Sequence, residues 1–171
     1  MANEFFRRQL ASYAAVHRDW RNKATHFAGI PLIVFSLMLA LSLWRFEILG
    51  REWSGSLLVL LLAVLGWLAL DLGVGIVMGL IMAVAWYAAE ALAAALGPPP
   101  AVWTAFLVVF AGGWALQFVG HFYEGKRPAL IDNLFQAFIG PMFLVAEAMV
   151  MMGQRNDLAE AMGEGPSMNR T

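Results

Sequence analysis

The chain has 171 residues, 61% of them hydrophobic and 13% charged, with a formal net charge of −1. A soluble domain averages about 45–50% apolar and about 25% charged residues, so this composition points to a polytopic membrane protein of one domain and offers no basic surface for nucleic acid. Cysteine is absent, which excludes disulfides and thiolate-bound metals.

Residues 3–21 are expected to form an amphipathic helix. Phe5, Phe6, Leu10, Tyr13 and His17 share one stripe, while Arg7, Arg8, Arg18 and Arg21 lie on the other faces, a pattern that suits the headgroup plane. No apolar h-region precedes residue 27, so no cleavable signal peptide is expected. On one unbroken helix His17 and His26 would point to opposite faces, about 13 Å apart along the axis. Asn22 tolerates the left-handed conformation that ends helices and offers a bend between them. Gly29 and Pro31 offer a second break, with Pro31 at the first position of the next helix.

Spanning helices are expected over 31–49, 55–70, 74–96, 101–123 and 129–152. Trp44 and Arg45 suit an interface at the end of the first. The apolar run 57–96 is too long for one span of about twenty residues, and Asp71, Gly73 and Gly75 divide it. Gly97 and the three prolines after it end the third helix, because proline lacks the N–H and disfavours helix in its predecessor. The fold class is therefore all-α: a membrane bundle of about five helices after an amphipathic N-terminal helix. It forms a single domain over 1–152, and 153–171 is a polar tail expected to fray.

Counting crossings puts residues 17–31 and 121–128 on the same face. That face carries Arg7, Arg8, Arg18, Arg21, Lys23, Lys126 and Arg127; the other carries Arg45, Arg51, Arg155 and Arg170. The excess of cations predicts that the first face is cytoplasmic.

The chain has three histidines, His17, His26 and His121, and all fall at this face beside helix ends. Glu124 lies three residues after His121, hence on the same helix face. Three imidazoles and a carboxylate suit iron, manganese or zinc, and histidine plus carboxylate with open positions is typical of non-haem iron(II) oxygenases. Each residue also has a plainer reading. The histidines are equally ordinary interfacial polar groups, and Glu124 is equally a helix-end partner of Lys126 or Arg127. Asn22 either orients His26 from four residues away or caps a helix. Gln117, one turn before His121, is a candidate donor behind it. Lys126 and Arg127 either hold a substrate carboxylate or anchor the topology. Glu90, Asp132 and Glu147 lie in or near apolar helices, where ionisable groups usually face the bundle interior. Gly112 and Gly113 suit close helix packing.

Two ordered motifs carry a resemblance. Y-x3-H-x4-N-x3-H-x2-G-I-P runs from Tyr13 to Pro31, and W-x2-Q-F-x-G-H-x2-E-G-K-x-P-A-L from Trp114 to Leu130. Together with Pro141 and Glu147 in the closing helix, they resemble a small membrane family of bacteria and fungi. Its fungal member is an endoplasmic-reticulum dioxygenase that degrades 2-hydroxy fatty acids released from phytosphingosine. The resemblance implies an Fe(2+) enzyme of fatty-acid alpha-oxidation, with His17, His26 and His121 as ligands and O2 and a 2-hydroxy fatty acid as partners. It also implies an integral protein of the bacterial inner membrane, or of the endoplasmic reticulum in a eukaryote. The competing class is a small transporter or structural bundle whose histidines bind nothing.

Overall fold

A computed structural model describes residues 2–126 and 135–163. Helix α1 spans Glu4–Ala14, and the Asn3 side chain caps it by accepting from the Phe6 N–H at 2.7 Å. The helix expected over 3–21 thus stops early, and α2 starts at Trp20 and runs to Leu41. The bend falls at residues 15–19 rather than at Asn22, because Asp19 caps α2 by accepting from the Arg21 N–H at 2.8 Å. Aspartate is among the strongest N-caps, and Asn22 becomes part of the first helical turn. Gly29 and Pro31 do not break α2 either; Pro31 lies inside it. Membrane helices tolerate such a proline because neighbouring groups satisfy the freed carbonyl.

The first span therefore ends at Leu41 instead of residue 49. A β-hairpin follows, with β1 (Arg45–Ile48) antiparallel to β2 (Arg51–Ser54) and Ile48 opposite Arg51. Its two-residue loop is Leu49-Gly50, at φ 53° and 71°. Positive φ at both positions is what a type I′ hairpin turn requires, and glycine takes it at no steric cost. The mostly helical architecture thus carries one small sheet that the apolar pattern did not reveal.

Helix α3 (Gly55–Leu70) has the expected limits, and α4 (Leu72–Leu96) follows at once. Asp71 separates them and caps α4 by accepting from the Val74 N–H at 2.7 Å. Helix α5 (Pro99–Glu124) opens on proline and closes at Gly125, whose φ of 67° is the usual left-handed stop. Next come α6 (Phe135–Met151), within the helix expected over 129–152, and a short α7 (Asn156–Ala161). Of these, α2, α4 and α5 are long and apolar enough to cross a membrane, while α3 and α6 are shorter apolar helices.

The division at Asp71 fixes the topology. The N-terminus joins that end directly, since the Asn3 N–H donates to the Leu70 carbonyl at 3.0 Å. Arg155, expected on the opposite face, also belongs here: its guanidinium holds both Asp71 oxygens at 2.8 Å. The chain after α6 has returned to the Asp71 end, where residues 156–161 form a short helix with Leu158 buried and Met162 buried just after it.

The tightest helix pair is α2 against α5. A Cβ on Gly113 would stand 3.0 Å from the Gly29 carbonyl oxygen, and one on Gly29 would stand 2.9 Å from that of Gly113. Small residues let the two backbones approach to this degree. Gly112, by contrast, faces open space.

Candidate metal centre

The close approach of α2 and α5 continues to Gly120, where an added Cβ would meet Asn22 Oδ1 at 2.5 Å and His26 Nδ1 at 3.1 Å. His26, on the second turn of α2, is thereby set beside His121, on the last turn of α5. His17 reaches the same point from the turn after α1. All three rings are buried, at 1%, 1% and 6% exposure, and each offers a nitrogen within 4.8 Å of the others.

Main-chain carbonyls determine which nitrogens are free. His17 Nδ1 lies 2.7 Å from the Tyr13 carbonyl oxygen, and His26 Nδ1 lies 2.9 Å from that of Asn22. A carbonyl only accepts, so each Nδ1 carries the ring proton when the imidazole is neutral. The His17 and His26 Nε2 atoms, which face each other at 3.1 Å, are then both lone pairs. Burial pushes the His17 pKa down to about 4, against the opposing pull of the Tyr13 carbonyl, so that ring is neutral at pH 7. Two opposed lone pairs repel unless a cation sits between them. Two nitrogens about 2.1 Å from one ion in neighbouring positions stand about 3 Å apart, which this pair matches. His121 adds a third ring whose buried Nδ1 has no hydrogen-bond partner. The donor set fits a metal ion. Carbonyl bonds at the far nitrogen are also the usual means of fixing a metal-binding histidine.

Around the rings, Tyr13 stacks on His17 with centroids 4.0 Å apart and planes 4° from parallel. A pocket of about 130 Å³ opens beside them, lined among others by Tyr13, Trp114, Gln117 and Gln136. Gln117 Nε2 and Gln136 Oε1 are buried and lack partners. Gln117 was expected behind His121. Gln136 was not foreseen, although a glutamine in an apolar helix is as conspicuous as the carboxylates singled out there.

The remaining candidates take other places. Glu124 does not join the histidines: its carboxylate accepts from the Arg18 N–H at 2.9 Å, the Asp19 N–H at 2.8 Å and the Asn22 amide at 3.1 Å. It caps the start of α2, where N–H groups converge and favour an anion. Asn22 orients His26 through its backbone carbonyl rather than its amide, which holds Glu124 and the Val16 carbonyl. Lys126 donates to the Ala15 carbonyl at 2.7 Å and does not line the pocket. Arg127 and Asp132 lie outside the described residues. Glu147 is buried and pairs with Lys23. Glu90 sits at the hairpin end, bound by Arg45 and Ser56.

Comparison with known proteins gives two matches. A family model described as 2-hydroxy-palmitic acid dioxygenase Mpo1-like covers residues 3–152. The 2-hydroxy-palmitic acid dioxygenase MPO1 of Saccharomyces cerevisiae is 47% identical over 49 residues, which span 28% of this chain and 28% of the yeast protein. No solved structure matches.

Proposed function

Because the chain belongs to the Mpo1-like family, we propose that it is an iron(II)-dependent dioxygenase that shortens a 2-hydroxy fatty acid by one carbon using O2. The balance closes with carbon dioxide and water as the other products. The observation that carries this reading is the buried trio of His17, His26 and His121, with two Nε2 lone pairs opposed at 3.1 Å.

The three histidines would hold the metal. When bound there, iron(II) supplies the activation of O2 that side chains alone lack. The Tyr13 and Asn22 carbonyls keep the ligand nitrogens unprotonated and aimed inward. Gln117 brings an unpartnered Nε2 donor to the pocket, which donates to the substrate carboxylate, and Gln136 an unpartnered Oε1, which accepts from the 2-hydroxyl while its Nε2 stays bonded to Gln9. Arg127, next to Lys126 in sequence, is the remaining candidate cation for that carboxylate. Burial of the site excludes bulk water from the reacting carbons. In the membrane, α2, α4 and α5 cross fully, α3 crosses as a shorter span, and α6 inserts from the histidine end. The cations around the histidines make that end cytoplasmic.

The test is oxygen-dependent turnover of 2-hydroxypalmitate by protein loaded with iron(II) under reducing conditions, with metal content measured in parallel. Zinc binds such nitrogen sites more tightly than iron(II) and is expected after purification in air, without activity. His17→Ala, His26→Ala and His121→Ala should each lose turnover while still inserting. A triple variant that kept both metal and turnover would refute the assignment and leave a transporter or structural bundle in its place.

A further inference from the structure

The histidine pocket shares four wall residues, Val34, Leu37, Ala137 and Pro141, with a larger cavity of about 660 Å³. That cavity lies between α2, α3, α5 and the start of α6; Trp67 stands at its near end beside Phe138, Ala63 lines it on α3, and Trp103 and Phe106 line it on α5. Its lining is apolar apart from Ser56. Leu37 and Trp103 are 43% and 48% exposed, so the cavity is a cleft open sideways at the level of the apolar helices.

We propose that this cleft is the acyl-chain site, which receives one linear alkyl chain directly from the bilayer while the polar head lies against the histidines. The inference rests on the reading of the trio as the head-group site and adds the route and the length limit of the tail. Adjacency to the histidine pocket through four shared wall residues favours the tail of the same molecule over an unrelated lipid. From His121 to Trp103 is 18 residues of α5, or about 27 Å of helix. A hydrocarbon core of about 30 Å is two tails deep, so this length holds one long chain entire. A soluble substrate would have no use for a lipid-facing mouth. The walls also assign roles. Ala137 and Val34 form the throat between head and tail, and Ala63 and Trp103 form the part that only a long chain reaches.

The experiment is photo-crosslinking in membranes with a 2-hydroxypalmitate analogue carrying a diazirine at the terminal carbon. The labelled peptides are then read by mass spectrometry. Labels on α3 around Ala63 and on α5 around Trp103, displaced by unmodified 2-hydroxypalmitate, are expected. Labels on the opposite side of α2, near Phe27 and Met78, or no displaceable label at all, overturn the proposal. Labelling needs no turnover, so the outcomes separate. Labelled cleft without oxygen-dependent turnover refutes the dioxygenase and keeps the acyl site; turnover with label elsewhere does the reverse. Ala63→Trp should then lower kcat/KM for the 16-carbon acid by at least about tenfold and leave an 8-carbon acid within about twofold. Equal losses for both lengths at unchanged metal content would overturn the length limit. Ala63→Leu, a smaller change, should show the same trend if the tryptophan variant does not fold.

Discussion

His17 and His26 face each other through Nε2 at 3.1 Å although nine residues separate them in sequence. The restart of the helix at Trp20 makes this possible, and the Tyr13 and Asn22 carbonyls make it chemically consequential, because they leave both facing nitrogens without a proton. A pair arranged this way holds a cation well and accepts a proton poorly while the fold is intact.

That contrast sets the acid response of chelator-treated protein. The His17 pKa falls from 6.5 to about 4 on folding, so between these values the unfolded chain binds more protons than the folded one. The contribution is complete above about pH 6.5, declines as the pH falls through that window and levels off near pH 4, for a loss of up to about 3 kcal/mol. Unfolding midpoints measured in micelles from pH 7.5 downward should follow this course. A flat profile would contradict the neutral assignment.

Glu124 acts on the site through the main chain. Removing its carboxylate in Glu124→Ala frees the Arg18 and Asp19 N–H groups and is expected to cost about 1–3 kcal/mol of stability. The turn carrying His17 loosens, and metal affinity should drop about 10- to 100-fold. Glu124→Gln keeps an acceptor and should recover much of both. If both variants lose metal as completely as His121→Ala, the carboxylate is itself a ligand.

Gly120 offers a sharper test of geometry. Gly120→Ala places a methyl against Thr25, Asn22 and His26, so α2 and α5 must separate. The expected cost is about 1–3 kcal/mol, with weaker metal binding as His26 leaves His121. Gly112→Ala on the same helix meets open space and serves as the control. Equal metal affinity in the two variants would detach the helix contact from the site.

Asp71 and Arg155 tie the segment after α6 to the junction of α3 and α4. Burial would raise the Asp71 pKa, but the Arg155 guanidinium and the Val74 N–H outweigh it and hold the carboxyl below the ordinary range. Asp71→Asn retains the helix cap yet removes one of the two carboxylates that hold the guanidinium, Asp157 remaining at 2.9 Å, for a loss of about 1–3 kcal/mol. The same contact predicts topology. Single cysteines replacing Ala2, Gly125 and Gly153 should label from one side of the membrane, and one replacing Gly97 from the other. Labelling of Gly153 with Gly97 would place α6 across the bilayer.

Much of this arrangement was legible because polar residues are scarce in the chain. Asp71 bounds α3 as read, since it is a capping residue in an otherwise apolar run, and Ser54 caps its other end. The division at Asp71 in turn gave the crossing count that unites His17, His26 and His121. Other features depend on competition that a single sequence does not resolve. Asp19 outbids Asn22 as the place where the chain turns, and Pro31 is absorbed into a helix by its surroundings. The hairpin at Leu49-Gly50 was overrun by extending the first apolar span to residue 49, although Arg45, Glu47, Arg51 and Glu52 make its strands more polar than the helices on either side. Glu124 misled because its partners are main-chain N–H groups 105 and 106 residues away, which no side-chain pattern displays.

The same separation sets an order of assembly. His17 and His26 leave the ribosome together, whereas His121 and Glu124 follow only after the hairpin, α3, α4 and nearly all of α5 have been made. An emerging chain therefore presents two imidazoles on a turn that nothing yet clamps, and a partial ligand set of this kind releases what it captures. Completion of α5 locks the turn and supplies the third ring in one event. A site that needs all three rings is thus complete only at the end of α5, and a chain that stalls before Gly120 lacks its third ring.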